Sequence, residues 1–437
     1  MDIKGYFKSK KVLDTAVVMA GGQGTRLQAV TGPLPKAMVN IKGTGAQNNG
    51  KAKDTILEHQ IKLLAENGIT NFVLVVGNKR EYIQNAFTPE AMKQAVPDKD
   101  INIQFFVEQS PLGTGGAFCS KELQKMIGNK DFLFTYADVL FDVNVQDMYA
   151  FHKETGADAT VSISPCKEPD DRPLCVFQKN SSEIVSLIPK QGKNDGPRGS
   201  FFPNTPKNGL IILNNAFFDV IPDEPTYLDM EENILMKLIF DSKYNVRGWV
   251  NPCYLKDIGT VDRFYEGVAD LKAGLPALRN PAKNPQSCVV FKESDLVKLE
   301  EQGASLNEKV AYAIKTFNDN GVVTVLHKDD KTLNGLLQEE EVIDTLLTRQ
   351  GDGAFLNAKI ANTQEFNDLA KEWNVVADRC YFIEEQSNYC VVSKLDGSET
   401  ASFTPSMVSA TTEILQEVCA NNALAFNQTT EGCQDAN

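Results

Sequence analysis

Residues 20–38 read AGGQGTRLQAVTGPLPKAM, and this stretch decides how the chain is understood. It follows a short apolar run, 16–19 (AVVM), that predicts a strand. Gly21, Gly22 and Gly24 then leave backbone with no side chain in the way. A polyphosphate approaches such a loop closely, and successive N–H groups point at its oxygens. Arg26 adds a rigid cationic fork and Lys36 a mobile point charge. The loop is therefore suited to a nucleoside triphosphate. It is not a P-loop, which closes on Gly-Lys-Ser/Thr, because Thr25-Arg26 follows Gly24. Nor does it fit the G-x-G-x-x-G of dinucleotide loops, since the third glycine is missing. That spacing argues against a nicotinamide-dependent oxidoreductase.

Outward from this loop, strand-like and helix-like segments alternate. Asp54-Thr55 predicts the cap of a helix through Ile56, Leu57, Ile61 and Leu64, with Gly68 ending it. Residues 72–76 (FVLVV) are apolar throughout, as expected of a strand buried on both faces. Further strands are predicted at 101–107, 132–136 and 159–163, and a helix at 145–152. The alternation predicts an α/β fold, a Rossmann-like, mostly parallel mixed sheet with helices on both faces. Ligands of such sheets bind at the carboxyl ends of the strands, which is where the glycine loop lies. The polar stretches 42–53 and 191–207 read as loops.

The chain has 437 residues and an ordinary apolar fraction of 42%, enough for two packed domains. No apolar run approaches the roughly 20 residues that span a bilayer. The basic N-terminus is not followed by a signal-peptide core. Nine scattered cysteines without a CxxC pair predict a reduced, cytoplasmic protein. The net charge of −14 disfavours nucleic acid, whose phosphates need basic surface. From Gln286 onward there are 25 acidic and 11 basic side chains, so the excess lies in the C-terminal part. The first part is balanced, yet keeps cations beside the glycines. The proline-rich stretch 273–285 reads as a linker. It separates a first domain, 1–272, from a second, 286–425, and the polar end, 426–437, is expected to be disordered.

The register GGxGTRLxxxTxxxPKxM is filled by Gly21, Gly22, Gly24, Thr25, Arg26, Leu27, Thr31, Pro35, Lys36 and Met38. It resembles the sugar-1-phosphate nucleotidyltransferases, and the likeness covers residues 12–272. The resemblance implies attack of a sugar phosphate on the α-phosphorus of a nucleoside triphosphate, releasing pyrophosphate. Both reactants are anions, so such a site must neutralise charge and hold them in line. By this likeness Arg26 and Lys36 are the catalytic cations, and Gly21, Gly22, Gly24 and Thr25 hold the nucleotide. Asp138, which ends the run FLFTYA, and Asp257, in LKDIGT, match two aspartates that hold Mg²⁺. Ala137 stands where the family has glycine, and Val261 where it has proline.

The segment 111–117, PLGTGGA, resembles the loop that holds the nucleobase and ribose. It brings in Gly113, Thr114 and Gly115, with Glu108 and Gln109 just before them as partners for the base. Its spelling is nearest the heptose-1-phosphate guanylyltransferases, which implies GTP and a heptose 1-phosphate. Lys190 matches the lysine on the sugar phosphate, although Pro189 replaces a glutamate beside it. Asn208-Gly209 and Glu231 match the sugar side. The partners implied are a nucleoside triphosphate and a sugar 1-phosphate, with no nucleic acid and no membrane. Self-association is left open.

Strands predicted at 287–295, 322–326 and 379–385, with a helix at 309–317, make the second domain a smaller α/β unit. It resembles the haloacid-dehalogenase-type phosphatases of the heptose-bisphosphatase branch. Glu293 stands at the nucleophilic aspartate, Leu326-His327-Lys328 at Thr-Asn-Gln, and Glu384-Glu385 at Gly-Asp. A glutamate carries its carboxylate one methylene too far for in-line attack, so the likeness implies a phosphatase-like domain without that activity. The departures at Ala137, Pro189 and Glu293 raise an alternative, a catalytically silent subunit that binds nucleotide sugars. Retention of Arg26, Lys36, Asp138 and Asp257 speaks against it.

Overall fold

Strand β1, Thr15–Met19, lies inside a seven-stranded sheet because residues on both of its faces are buried. The structure is a computed structural model. It describes residues 12–22, 24–42, 51–164, 172–178, 181–190, 201–202, 205–251, 253–281, 283–292, 295, 297–300, 303–319, 322–327, 345–349, 355–361, 371, 374–385, 390–394 and 402–431. The chain divides into two units. One joins Met1–Ser162, Asn208–Trp249 and Leu255–Ala273, and the other joins Ile163–Lys207, Val250–Tyr254 and Gly274–Asn437.

With strands numbered along the whole chain, the first unit is built on β1, β2 (Asn71–Val76), β3 (Asn102–Val107), β4 (Phe132–Tyr136), β5 (Val139–Asp142), β6 (Ala159–Ile163), β10 (Lys207–Leu213), β11 (Val246–Val250) and β12 (Tyr254–Asp257). The sheet order is β11-β6-β10-β4-β1-β2-β3, and β5 pairs with β12 separately. β1 runs parallel to β2 and β4, β2 parallel to β3, and β10 antiparallel to β4. This is the mostly parallel mixed sheet that the alternation of apolar runs predicts. Phe72–Val76 is buried throughout, as its unbroken apolar run requires.

Helix Ile56–Glu66 starts as its sequence dictates. The Thr55 hydroxyl accepts from Glu58 N–H at 3.1 Å, and Glu58 Oε2 accepts from Asp54 N–H at 2.6 Å. Phe118, Phe132, Phe134 and Phe217 form the aromatic centre of the unit, with Phe118 and Phe217 meeting edge to face at 4.9 Å. Burying each ring contributes on the order of 1.5–3 kcal/mol.

The second unit contains β7 (Leu174–Phe177), β8 (Ile184–Ile188), β9 (Phe201–Phe202), β13 (Gln286–Lys292), β14 (Val297–Glu300), β15 (Gly303–Leu306), β16 (Val323–His327), β17 (Thr345–Arg349), β18 (Phe355–Ala361), β19 (Val375–Glu385), β20 (Cys390–Lys394) and β21 (Ser402–Thr404). Its eight-stranded sheet has the order β21-β20-β19-β13-β16-β18-β17-β9. β13 runs parallel to both β16 and β19. Its side chains alternate between two cores. Val289 and Phe291 pack with Val310, Ile314 and Met407, and Cys288 and Val290 pack with Val323 and Cys380.

Several expectations change. Phe201–Phe202 lies within the predicted loop 191–207 and is instead the edge strand of this second sheet, paired with β17. That pairing helps explain why 163–207 groups with the second unit. Residues 191–200 and most of the loop 42–53 lie outside the described residues, as do Glu293, Ser294 and Lys328. The predicted linker contains a helical turn, Leu275–Leu278. The last helix, Met407–Glu431, runs past residue 426, where a disordered tail is expected, because no proline or glycine interrupts it. Among the described residues no helix is long and apolar enough to cross a membrane.

Candidate active site

The first unit gathers its charged groups at the carboxyl ends of β1 and β4. β4 ends at Tyr136 and β5 begins at Val139, so Asp138 occupies the bend between them. Ala137 N–H donates to the carbonyl of Met19, the last residue of β1, at 3.1 Å. Ile258 N–H donates to the Asp138 carbonyl at 3.0 Å, which brings Asp257 alongside. Lys36 Nζ forms an ion pair with Asp138 Oδ2. A Cβ placed on Gly259 would lie 2.8 Å from Asp257 Oδ1 and 3.1 Å from Lys36 Nζ, so both groups meet over that glycine. Lys36 and Asp138 are only 16% and 26% exposed, so their attraction is screened less than that of a surface pair.

Asp257 is held on both oxygens. Oδ1 accepts from Gly259 N–H at 2.6 Å, and Oδ2 faces Arg263 at 3.7 Å. Arg263 sits in the first turn of helix Val261–Lys272, whose cap is Thr260. The sequence reading does not single out Arg263. Its only signal is its place three residues after the capping threonine.

Asp138 at its bend and Asp257 at the end of β12 are the oxygen donors that suit a hard divalent ion whose remaining ligands are phosphate oxygens and water, the usual habit of Mg²⁺. Among the described residues there is no group of three or more His, Cys, Asp or Glu that would cage an ion without substrate. The two carboxylates are donors of the kind Mg²⁺ takes.

The first glycine loop stands beside this cluster. Gly22 has open space around it. Gly24 precedes the short turn Thr25–Leu27, where Thr25 and Arg26 are exposed. Gly21 also meets a constraint from beneath the loop. A Cβ there would lie 2.8 Å from Glu108 Oε2 and 3.3 Å from Gly77 N, so its bareness admits the Glu108 carboxyl beneath the loop. Burial pushes that carboxyl up to about 7, partly opposed by a backbone hydrogen bond from Leu112. Glu108 Oε1 is buried with no hydrogen-bond partner among the described residues.

The second glycine loop is clasped by residues 226–234. Gly115 N–H donates to Leu228 C=O at 2.8 Å, and Leu228 N–H to Leu112 C=O at 2.9 Å. A Cβ on Gly113 would collide with the Leu228 carbonyl, one on Gly115 with Ile234, and one on Gly116 with the Thr226 carbonyl. The sequence reading gives these glycines to the nucleobase, but their first constraint is this clasp. Thr114 serves it too, donating to Asp229 Oδ2 at 3.0 Å and accepting from Met230 N–H at 2.8 Å. Gly113 also has φ +81°, so Gly113→Ala combines backbone strain with a collision against backbone. The expected loss is about 3 kcal/mol of unfolding free energy, read by denaturant titration.

On the sugar side, Asn208-Gly209 lies on β10 next to β4. Asn208 is 2% exposed, and its Nδ2 has no partner among the described residues. A Cβ on Gly209 would come within 3.1 Å of Tyr136 and Val139, the residues flanking the Asp138 bend. Burial pushes the Tyr136 phenol far above its ordinary range. Glu231 lies in the clasping segment, its N–H donating to Asp229 Oδ1 at 2.8 Å. Lys190 belongs to the other unit, exposed just after β8.

A mostly parallel sheet with a glycine loop after its first strand, a lysine and two carboxylates has the make-up of a phosphate-handling α/β domain. Residues 15–274, more than half of the chain, match the nucleotidyl transferase family, and the chain belongs to that family. It is 29% identical over 276 residues to a mannose-1-phosphate guanyltransferase of Schizosaccharomyces pombe, covering 62% of this chain and 68% of that one. It is 27% identical over 216 residues to the Xenopus laevis mannose-1-phosphate guanyltransferase beta-A, covering 49% and 54%. Against several such relatives the chain spans about half of their length. The solved structure of HddC from Yersinia pseudotuberculosis aligns at 21% identity over 59% of this chain and all of that one, with a TM-score of 0.44.

Proposed function

We propose that this chain transfers a guanylyl group from GTP to a sugar 1-phosphate, releasing pyrophosphate, and that the sugar is a heptose. The observation that carries the reading is the meeting of Lys36, Asp138 and Asp257 beside the glycine loop. A sugar phosphate oxygen attacks the α-phosphorus, and the bond to the β-phosphate breaks. Lys36 and Arg26 neutralise the triphosphate, and the bare loop backbone orients it. Asp138 and Asp257 would hold Mg²⁺, which when bound supplies charge neutralisation to the phosphates. Asn208, Gly209 and Glu231 are assigned to the sugar phosphate.

Guanine is supported by the names of the relatives and by Glu108. A half-buried carboxylate with one buried, unpartnered oxygen suits the adjacent N1–H and N2–H donors of guanine. Ionised Glu108 accepts both, so GTP affinity should rise as pH passes upward through about 7. Because the folded protein favours the protonated form, Glu108 also costs stability as pH rises from the ordinary carboxyl range through about 7. Glu108→Gln should therefore lose the pH dependence of GTP binding, weaken preference for GTP over ATP, and melt higher than wild type above neutrality but not below pH 5. Unchanged discrimination would remove Glu108 from base recognition.

The heptose is supported by the spelling of residues 111–117. Mannose 1-phosphate is the second reading, favoured by the relatives' names. Four nucleoside triphosphates crossed with heptose, mannose and glucose 1-phosphates, read by pyrophosphate release, test the whole proposal. Release with GTP and one sugar phosphate supports it, and no release with any pair supports the silent subunit. For the second unit we keep the phosphatase-like, inactive reading. It is supported by the parallel neighbours of β13 and by an ion pair between Lys292 and Glu384, 2.8 Å, at the end of that strand.

A further inference from the structure

Asp138 sits on a two-residue bend between the end of β4 and the start of β5. One buried side chain closes it. Gln60 projects from helix Ile56–Glu66 and is 1% exposed. Its Nε2 donates to the Tyr136 carbonyl at 2.9 Å and to the Val139 carbonyl at 2.5 Å. These carbonyls bracket Asp138 on either side. Ala137 N–H and the Asp138 carbonyl are tied to Met19 and Ile258. Without Gln60, the two flanking carbonyls would be left at a buried bend without this donor.

We propose that Gln60 is a positioning residue of the reaction, whose amide fixes the backbone on both sides of Asp138 and so sets where that carboxylate presents its oxygens to a divalent ion. This rests on the nucleotidyl-transfer reading. Two observations argue for positioning over simple core filling. The contact is polar, since an apolar side chain of the same length would fill the volume and take this donor from both carbonyls. The tie also reaches a strand bend far from the helix in sequence, at the one place in that bend that carries a carboxylate. Displacing a group by about 1 Å can cost a reaction about 100-fold.

Gln60→Met keeps length and packing and removes both donors. The expected results are a folded protein by circular dichroism and unchanged affinity for GTP without metal. Mn²⁺ affinity in the presence of a non-hydrolysable GTP analogue, read by electron paramagnetic resonance, should fall about tenfold, and kcat about 100-fold with the sugar phosphate KM unchanged. Gln60→Glu adds a readout that core filling would not move. Its ionised carboxylate repels both carbonyls, while the protonated form donates to one. Relative to wild type, its Mn²⁺ affinity should therefore recover as pH falls from 8 to 6. Wild-type Mn²⁺ affinity in Gln60→Met, a flat relative pH profile in Gln60→Glu, or loss of the fold in both variants would overturn the proposal. If wild-type protein itself bound neither Mn²⁺ nor the analogue, the nucleotidyl-transfer reading would fail instead.

Discussion

Lys36→Met lowers kcat/KM by about 1,000-fold, the scale of losing a preorganised charged donor at a developing oxyanion. Lys36 is the cation most deeply set at the site, ion-paired with Asp138 and close to Asp257 over Gly259. Methionine matches its stem and removes only the charge. Lys36→Arg should recover little, because the broad planar guanidinium does not reproduce the compact point charge that Lys36 places against Asp138. Steady-state pyrophosphate release and a thermal melt on the same preparations check both statements. A loss below tenfold with an intact fold would take Lys36 out of the chemistry.

Asp138→Asn and Asp257→Asn should each lower kcat by about 1,000-fold and abolish Mn²⁺ binding in the presence of GTP analogue. Their stability effects should differ. Asp138→Asn leaves the ammonium of Lys36 partly buried without its ion-pair partner, which costs on the order of 3 kcal/mol. Asp257 is 39% exposed and its partner Arg263 lies 3.7 Å away, so its replacement should cost under about 1 kcal/mol. The double variant should be no less active than either single one, because the two carboxylates act as a unit. Isothermal titration with Mn²⁺, kinetics and denaturant curves distinguish these outcomes.

Much of the first unit was legible before folding. The run 72–76 is apolar, and 132–136 and 159–163 mostly so, because their strands are covered on both faces, and each lies within or matches a strand of the sheet. The Thr55 cap and the Gly68 stop rest on local backbone chemistry that sequence states directly. What escaped was side-chain business between distant segments. Gln60 reads as one polar residue in an amphipathic helix, and only the fold brings it to the Asp138 bend. Arg263 reads as a surface charge. The glycines at 113, 115 and 116 read as a ligand loop, because nothing in their own neighbourhood announces the segment 226–234 packed against them. Phe201–Phe202 sits among prolines and glycines, and its strand exists only through pairing with β17.

The central claim is that two aspartates far apart in the chain share one divalent ion against a triphosphate at the first glycine loop. Crystals grown with Mn²⁺ and a GTP analogue bearing a non-hydrolysable α–β bridge test it most directly. The expected result is an anomalous peak coordinated by both Asp138 and Asp257 and by phosphate oxygens, with the triphosphate along Gly21–Gly24. A peak held by neither carboxylate, or nucleotide bound away from that loop, would contradict it.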